Sequence, residues 1–379
     1  MIELKSFLKA LKSVNIQFVT GVPDSLLKDI CAYISDNLPP TQHVIATNEG
    51  SAIGLAIGNY LATKLVPLVY LQNSGIGNVV NPLVSLADPS VYGIPILLMI
   101  GWRGEINKEM QIKDEPQHQR QGKITLAQLD LLNIPYVIIN KDSRNIDDLI
   151  AKSVNSAISR KGPFAIVVRK NSFEKYKKLN NRLIKDIYLP SRKRVLEMIL
   201  KNIPNSIPIV STTGVSSREL FEIRKKIGNN VQSDFLTIGG MGHASQIAAG
   251  IAIAKMEKKI FCFDGDGAAL MHTGVFAINA DQENLVHVLI NNGVHDSVGG
   301  QPTKGQKLNF SKIAKAFGYK YSFRVKDINK IGDLLRIVLN QSGSTFIEII
   351  CKSGYSADLS RPSKSLDQSK IDFMRFLSR

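Results

Sequence analysis

A chain of 379 residues that is 44% hydrophobic and 21% charged is long enough to bury two full cores and too apolar to be disordered. Its apolar runs, such as Ile94 to Ile100, fall far short of the roughly eighteen residues a membrane span needs, the opening MIELKSFLKALKS lacks the apolar core of a secretory signal, and the three scattered cysteines give neither a disulfide framework nor a zinc site. A net charge of +16 would suit nucleic acid or a small anion, but the lysines lie in solvated runs such as KKLNNRLIKDIYLPSRKR without interleaved aromatics, so the expectation is a cytoplasmic protein with no nucleic acid and no membrane partner.

In chain order, the N-terminal stretch reads as an amphipathic helix. The segments VPLVYLQNSGIGN, PILLMIGWRGE, YVIIN and FAIVVRK follow as strand candidates separated by stretches of helical length. A polar segment around 171–192 comes next. IPIVSTTG, KKIFCFDGDG, LVHVLINNG and TFIEIICK then repeat the first plan. Strands alternating with helices predict an α/β protein of two doubly wound parallel sheets. GSAIGLAIGNYLATKLVPLVYLQNSGIG and GHASQIAAGIAIAKMEKKIFCFDGDG each run from a Gly/Ala-rich helix through a strand into a G-x-G turn, and Gly77 to Gly101 and Gly267 to Asn291 both span 24 positions. Internal duplication is the economical reading. It sets domains at 1–172 and 191–379 with a linker over 173–190, too short to hold a middle domain.

Ligand sites in such sheets lie beyond the carboxyl ends of the strands, where both G-x-G turns fall. In the second, Gly265-Asp266-Gly267 closes one strand and Asn291-Asn292 the next, so parallel neighbours would bring Asp266 and Asn292 to one rim. A carboxylate, an amide oxygen and a backbone carbonyl make a hard oxygen site suited to magnesium carrying phosphates. Glycine on both sides of Asp266 permits close backbone approach, and a helix starting near Ala268 would aim its amides at an anion.

Gly-Asp-Gly followed about two dozen residues later by Asn-Asn resembles the signature of thiamine diphosphate enzymes. ATNEGSAIGLAIGNYLA is similar to the pyrimidine-domain helix of that superfamily, with Glu49 in the place of the glutamate that contacts the aminopyrimidine. FVTGVPDSLL resembles the loop that opens the same domain in pyruvate and benzoylformate decarboxylases, and TIGGMGHASQIAAGIA the segment that supports the bent cofactor. NNGVHDSVGGQPT, KDEPQHQRQGKIT and STTGVSSRELFE look like the branch of phosphonopyruvate and sulfopyruvate decarboxylases, and the resemblance covers the whole chain.

The resemblance implies thiamine diphosphate and Mg2+ as cofactors. Asp266, Asn292 and the carbonyl of Val294 would hold the metal, and Gly267 and Ala268 the diphosphate. Met241 would be the wedge beneath the thiazolium, the carbonyl of Gly239 would face the exocyclic amine, and Asn73 and Ser74 in the first turn would contact the cofactor. Glu49, partly desolvated among small apolar residues, would share a proton with the pyrimidine so that a thiazolium ylid can form and act as electron sink.

The substrate would be a small anionic 2-oxo acid. His118, Arg120 and Lys123 would lie on one polar loop, and His295, Asp296, Ser297 and Gln301 on another. Ser25 would face the substrate carboxylate, while Asp24 stands where the family usually shows glycine. The implied reaction turns 3-phosphonopyruvate into phosphonoacetaldehyde and CO2, on a route to aminoethylphosphonate. Sulfopyruvate or another acidic 2-oxo acid is the alternative, and a silent thiamine diphosphate or nucleotide binder a second. A homodimer or higher homo-oligomer, with active sites between subunits, completes the expectation.

Overall fold

Runs of Val, Ile, Leu and Phe too short for a helix, each bounded by Gly, Pro or Asn, become fully buried parallel strands in the computed structural model, which describes residues 1–107, 110–177, 188–228, 231–356, 358–360 and 364–379. The chain divides into two compact units, Met1–Asn181 and Arg182–Arg379. Residues 178–187 of the expected linker lie outside the described residues.

The first unit runs α1 (Leu4–Ser13), β1 (Val19–Gly21), α2 (Lys28–Asn37), β2 (His43–Ile45), α3 (Glu49–Thr63), β3 (Leu68–Gln72), α4 (Ile76–Pro82), β4 (Ile96–Gly101), α5 (Pro116–Leu131), β5 (Tyr136–Ile139), α6 (Ile146–Arg160) and β6 (Pro163–Val168). Its six strands are all parallel, in the order β2-β1-β3-β4-β6-β5. Every residue of β4 is buried. Leu97 and Met99 pack on one side with Leu4, Phe7 and Ile150, while Ile96, Leu98 and Ile100 pack on the other with Ala52, Ile53 and Val79, as the two-residue period of a strand between two helical layers requires. Each such side chain contributes roughly 1.5–3 kcal/mol relative to exposure.

The second unit runs α7 (Arg192–Asn202), β7 (Ile209–Ser211), α8 (Val215–Lys226), β8 (Asp234–Leu236), α9 (Ala244–Ala254), β9 (Ile260–Gly265), α10 (Asp266–Met271), α11 (Phe276–Ala280), β10 (Leu285–Asn291), a small hairpin of β11 (Val294–His295) and β12 (Gln301–Pro302), α12 (Phe310–Ala316), β13 (Tyr321–Val325), α13 (Ile331–Asn340), β14 (Thr345–Ile350) and α14 (Leu366–Leu377). Its main sheet has the order β8-β7-β9-β10-β14-β13, strand for strand that of the first unit. Gly77 and Gly267 are each the second residue of the helix after the third strand, and Gly101 and Asn291 each end the fourth, so the equal spacings mark equivalent positions.

The eight strand candidates all carry strands. Four others, β1, β2, β8 and β13, lie in stretches with no long apolar run. Three of these hold only three residues each, and β13 is a mostly half-exposed edge strand. KDEPQHQRQGKIT is helical from Pro116, where a loop was expected. Proline at the first helical position is preset for the turn and gives up only an amide that would stay unpaired. Among the described residues no helix is long and apolar enough to cross a membrane.

Candidate active site

Glu49 is the first residue of α3. The Asn48 side chain caps the helix by accepting the Ser51 amide at 2.8 Å, which fixes where the helix begins and so where Glu49 points. Glu49 is 6% exposed, and its Oε2 accepts from Nδ2 of Asn78, on α4, at 2.7 Å. Gly75 lies alongside, so close that a Cβ there would stand 2.5 Å from Glu49 Oε1. The turn after β3 is thus shaped around the carboxylate, and Asn78 is a partner that no motif announced.

The neighbouring Asn73 is fully buried. Its amide donates to the Arg103 carbonyl and the Thr125 hydroxyl, both at 2.9 Å, and its oxygen accepts the Arg103 amide at 3.2 Å. Asn73 therefore ties the end of β3 to the end of β4. Ser74 is exposed and accepts from Gln72 at 2.6 Å.

The tie positions Arg103, whose guanidinium grips Asp114 through Nε and Nη2 at 2.8 and 2.6 Å and donates Nη1 to Ser25 Oγ at 2.7 Å. The guanidinium holds the Asp114 carboxyl well below the usual range, against the cost of its partial burial. Asp24 is 1% exposed; its Oδ2 accepts the Leu27 amide at 3.1 Å while Oδ1 has no partner among the described residues. His118 points inward from α5 and is buried, with its Nδ1 unpartnered among the described residues, and burial lowers its pKa. Arg120 and Lys123 face outward, exposed, on the same helix. The structure brings Ser25 together with Arg103, a residue the sequence had not singled out.

In the second unit, Gly239, Gly240 and Gly242 all have positive φ (69°, 55° and 89°), so the main chain bends tightly around Met241, which is half-buried. The Gly239 amide is anchored by Thr213 Oγ1 at 3.0 Å.

The acidic turn divides its two carboxylates between a strand and the helix that follows it, with Asp264 on β9 and Asp266 the first residue of α10. Asp264, on β9, points into the core, where Oδ1 accepts the Gly265 amide at 2.9 Å and Oδ2 meets His287 Nε2 at 3.3 Å; His287 Nδ1 meets the Tyr319 hydroxyl at 3.0 Å. Asp266 faces the rim. β9 and β10 are parallel neighbours, and the Asp266 carboxylate receives the main-chain amides of Asn292 and Gly293 and the Thr303 hydroxyl. Burial pushes its pKa up to about 6 against those hydrogen bonds, and a bound cation would favour the charged form.

Asn292 is 6% exposed; its Oδ1 accepts the Val294 amide at 3.2 Å and its Nδ2 donates to Asp296 at 2.7 Å. The donor set at this rim is a carboxylate, a carboxamide oxygen and main-chain carbonyls, which fits a hard divalent cation. Gly305 leaves room beside Asp266 that a Cβ would fill.

His295 packs its imidazole against Gly267, with a Cβ there falling 2.7 Å from Cε1, and loss of hydration lowers its pKa to about 4. Gln301 is opposite His295 in the hairpin and so shares its face. It is fully buried with neither amide atom partnered among the described residues, an arrangement that calls for a ligand or water. Asp296 instead has its carboxylate engaged by Arg192, Asn292 and Gly354, and Ser297 is exposed.

Residues 4–129 match the family described as thiamine pyrophosphate enzyme, N-terminal TPP binding domain, and residues 213–349 the C-terminal TPP binding domain. The phosphonopyruvate decarboxylase of Streptomyces viridochromogenes is 31% identical over 96% of this chain and 91% of its own length. That of Streptomyces hygroscopicus is 30% identical over 96% and 90%, and the sulfopyruvate decarboxylase of Methanosarcina acetivorans 24% identical over 92% and 90%. With both halves of the thiamine diphosphate fold matched and the likeness running nearly end to end, the chain belongs to the phosphonopyruvate decarboxylase family and is a thiamine diphosphate-dependent decarboxylase.

Proposed function

We propose that this chain converts 3-phosphonopyruvate to phosphonoacetaldehyde and CO2, using thiamine diphosphate with Mg2+. The observation that carries the reading is Glu49, which is buried at a capped helix start and held by Asn78 at 2.7 Å, in a chain similar over 96% of its length to phosphonopyruvate decarboxylases. When bound, thiamine diphosphate supplies the electron sink that a 2-oxo acid needs to lose CO2. The chain's own residues do the rest.

Asp266, Asn292 and the Val294 carbonyl would hold the metal, and the amides of Gly267 and Ala268 would bind the diphosphate. Met241 and the Gly239 carbonyl would help hold the cofactor, and Asn73 and Ser74 line the turn beside Glu49. With Oε2 fixed by Asn78, Oε1 is the atom of Glu49 to which we assign the mobile proton. Ser25, with Arg103 behind it, and His118, His295 and Gln301 receive the substrate. Arg120, exposed on α5, meets incoming anions before they reach the site.

Sulfopyruvate is the second reading, supported by the likeness to the Methanosarcina acetivorans enzyme. The aldehyde product calls for a dedicated consuming enzyme, with aminoethylphosphonate as the expected end. We place the enzyme in the cytoplasm as a homo-oligomer. Leu55 and Leu61 on α3 and Ile247 and Ile253 on α9 are 41%, 66%, 37% and 57% exposed, and a second copy would cover such apolar faces.

The test pairs two variants. Glu49→Gln is expected to keep thiamine diphosphate binding and lose at least roughly 10²-fold in kcat, whereas Asp266→Ala loses cofactor binding, read by fluorescence titration. Full turnover by Glu49→Gln overturns the proton assignment.

A further inference from the structure

A carboxamide binds a hard cation through its oxygen and offers only hydrogens from its nitrogen. The residue proposed as a metal ligand, Asn292, therefore works in one of two orientations related by a half-turn of its amide. Something must select it.

The contacts around Asn292 identify the selector. Its Nδ2 lies 2.7 Å from Asp296 Oδ2, and an ionised carboxylate accepts hydrogen bonds but cannot donate them, so the amide nitrogen must sit on that side. Oδ1 is turned the opposite way, toward Val294, whose amide it accepts at 3.2 Å.

Asp296 is itself pinned by elements distant in sequence. Arg192, the first residue of α7, donates Nη1 to Asp296 Oδ2 at 2.9 Å and Nε to Glu219 at 2.8 Å, and it is 5% exposed. The Gly354 amide donates to Asp296 Oδ1 at 3.1 Å. Ser191, which precedes the arginine, bridges to Lys352, so the segments bearing Arg192 and Gly354 are stitched together behind the carboxylate. A charged hydrogen bond held this way tolerates little rotation of either partner.

We infer that Asp296, braced by Arg192, is a positioning residue that locks the Asn292 carboxamide with its oxygen toward the divalent cation, and that it does not touch the substrate. The inference rests on the magnesium reading above. An Asn at 296 could either donate to or accept from Asn292, and the lock would be lost.

The test is a titration with Mn2+ in the presence of thiamine diphosphate, followed by the electron paramagnetic resonance of the free ion, beside steady-state kinetics at saturating Mg2+. Asp296→Asn is expected to raise the Mn2+ Kd by roughly 10- to 100-fold while KM for phosphonopyruvate at saturating Mg2+ stays within about twofold. An unchanged Mn2+ Kd with KM raised tenfold or more, on the order of 1.4 kcal/mol, overturns the inference and gives Asp296 a substrate role. In an Asn292→Asp background both ligand atoms are oxygens and orientation no longer matters, so Asp296→Asn should add no further loss; an equal loss in both backgrounds contradicts the lock. Arg192→Lys, which keeps the charge but not the fork, serves if Asp296→Asn fails to fold, with a smaller rise in Kd expected and no rise overturning the inference. Wild-type protein that binds no Mn2+ sinks the magnesium reading itself, whereas wild-type binding with an unaltered variant sinks only the lock.

Discussion

Asp24 shows how one buried carboxyl makes stability depend on pH. Burial raises its pKa from 3.8 to about 6, only partly opposed by hydrogen bonds and by Arg103. Between those values the folded chain binds more protons than the unfolded one, so its stability falls as pH rises through that window and stays reduced above it, by at most about 3 kcal/mol. Asp24→Asn should raise the thermal midpoint at pH 8 and leave it unchanged at pH 3.5. Equal shifts at both pH values would contradict this account. At this scale the residue types on which the proposed roles rest, Glu49, Asp266 and Asn292, were visible in the sequence. The partners were not. Thr303 reaches Asp266 across 37 positions and Arg192 reaches Asp296 across 104, and no local pattern encodes such distances. The two acids of the DGDG turn look alike in sequence, yet Asp264 lies on β9 and turns into the core, while Asp266 opens α10 beyond the strand end.

Among the elements, the turn between β3 and α4 holds the proposed proton carrier. Gly75 has no side chain where a Cβ would press 2.5 Å from Glu49 Oε1 and 2.7 Å from Cδ. Because the obstructing group is the end of a side chain, Gly75→Ala should fold and push the carboxylate aside. Its kcat is expected to drop by roughly 10²-fold, the scale of a displacement near 1 Å at a reacting group, with the thermal midpoint close to wild type. Wild-type kcat in this variant would mean that Glu49 need not stand where the structure holds it. Long apolar strands were readable from their residues because both faces are buried. The short strands β1, β2 and β8 owe their pairing to neighbours already in the sheet, and α5 was hidden by its polar composition until Pro116 was seen as a helix start.

At the scale of the molecule, the matched strand orders of the two units give each a rim of loops beyond its strand ends. Glu49 belongs to the first unit and Asp266 with Asn292 to the second, and the proposed homo-oligomer gives a concrete expectation. Specific activity should fall on dilution, in step with dissociation followed by light scattering, and excess thiamine diphosphate with Mg2+ should slow the loss. A fully active monomer at the lowest concentration would overturn the assembly. The duplicated plan was visible in the sequence through the two equal spacings, since both copies must cross from one strand to its neighbour by a helix of similar length.

The central claim is most directly tested by kcat/KM for aldehyde release from phosphonopyruvate, sulfopyruvate and pyruvate, measured side by side with thiamine diphosphate and Mg2+. The account predicts the highest value for phosphonopyruvate, by at least roughly tenfold, a difference of about 1.4 kcal/mol in transition-state binding. A preference for sulfopyruvate would keep the chemistry and contradict the substrate, and turnover of none of the three would contradict the proposed function.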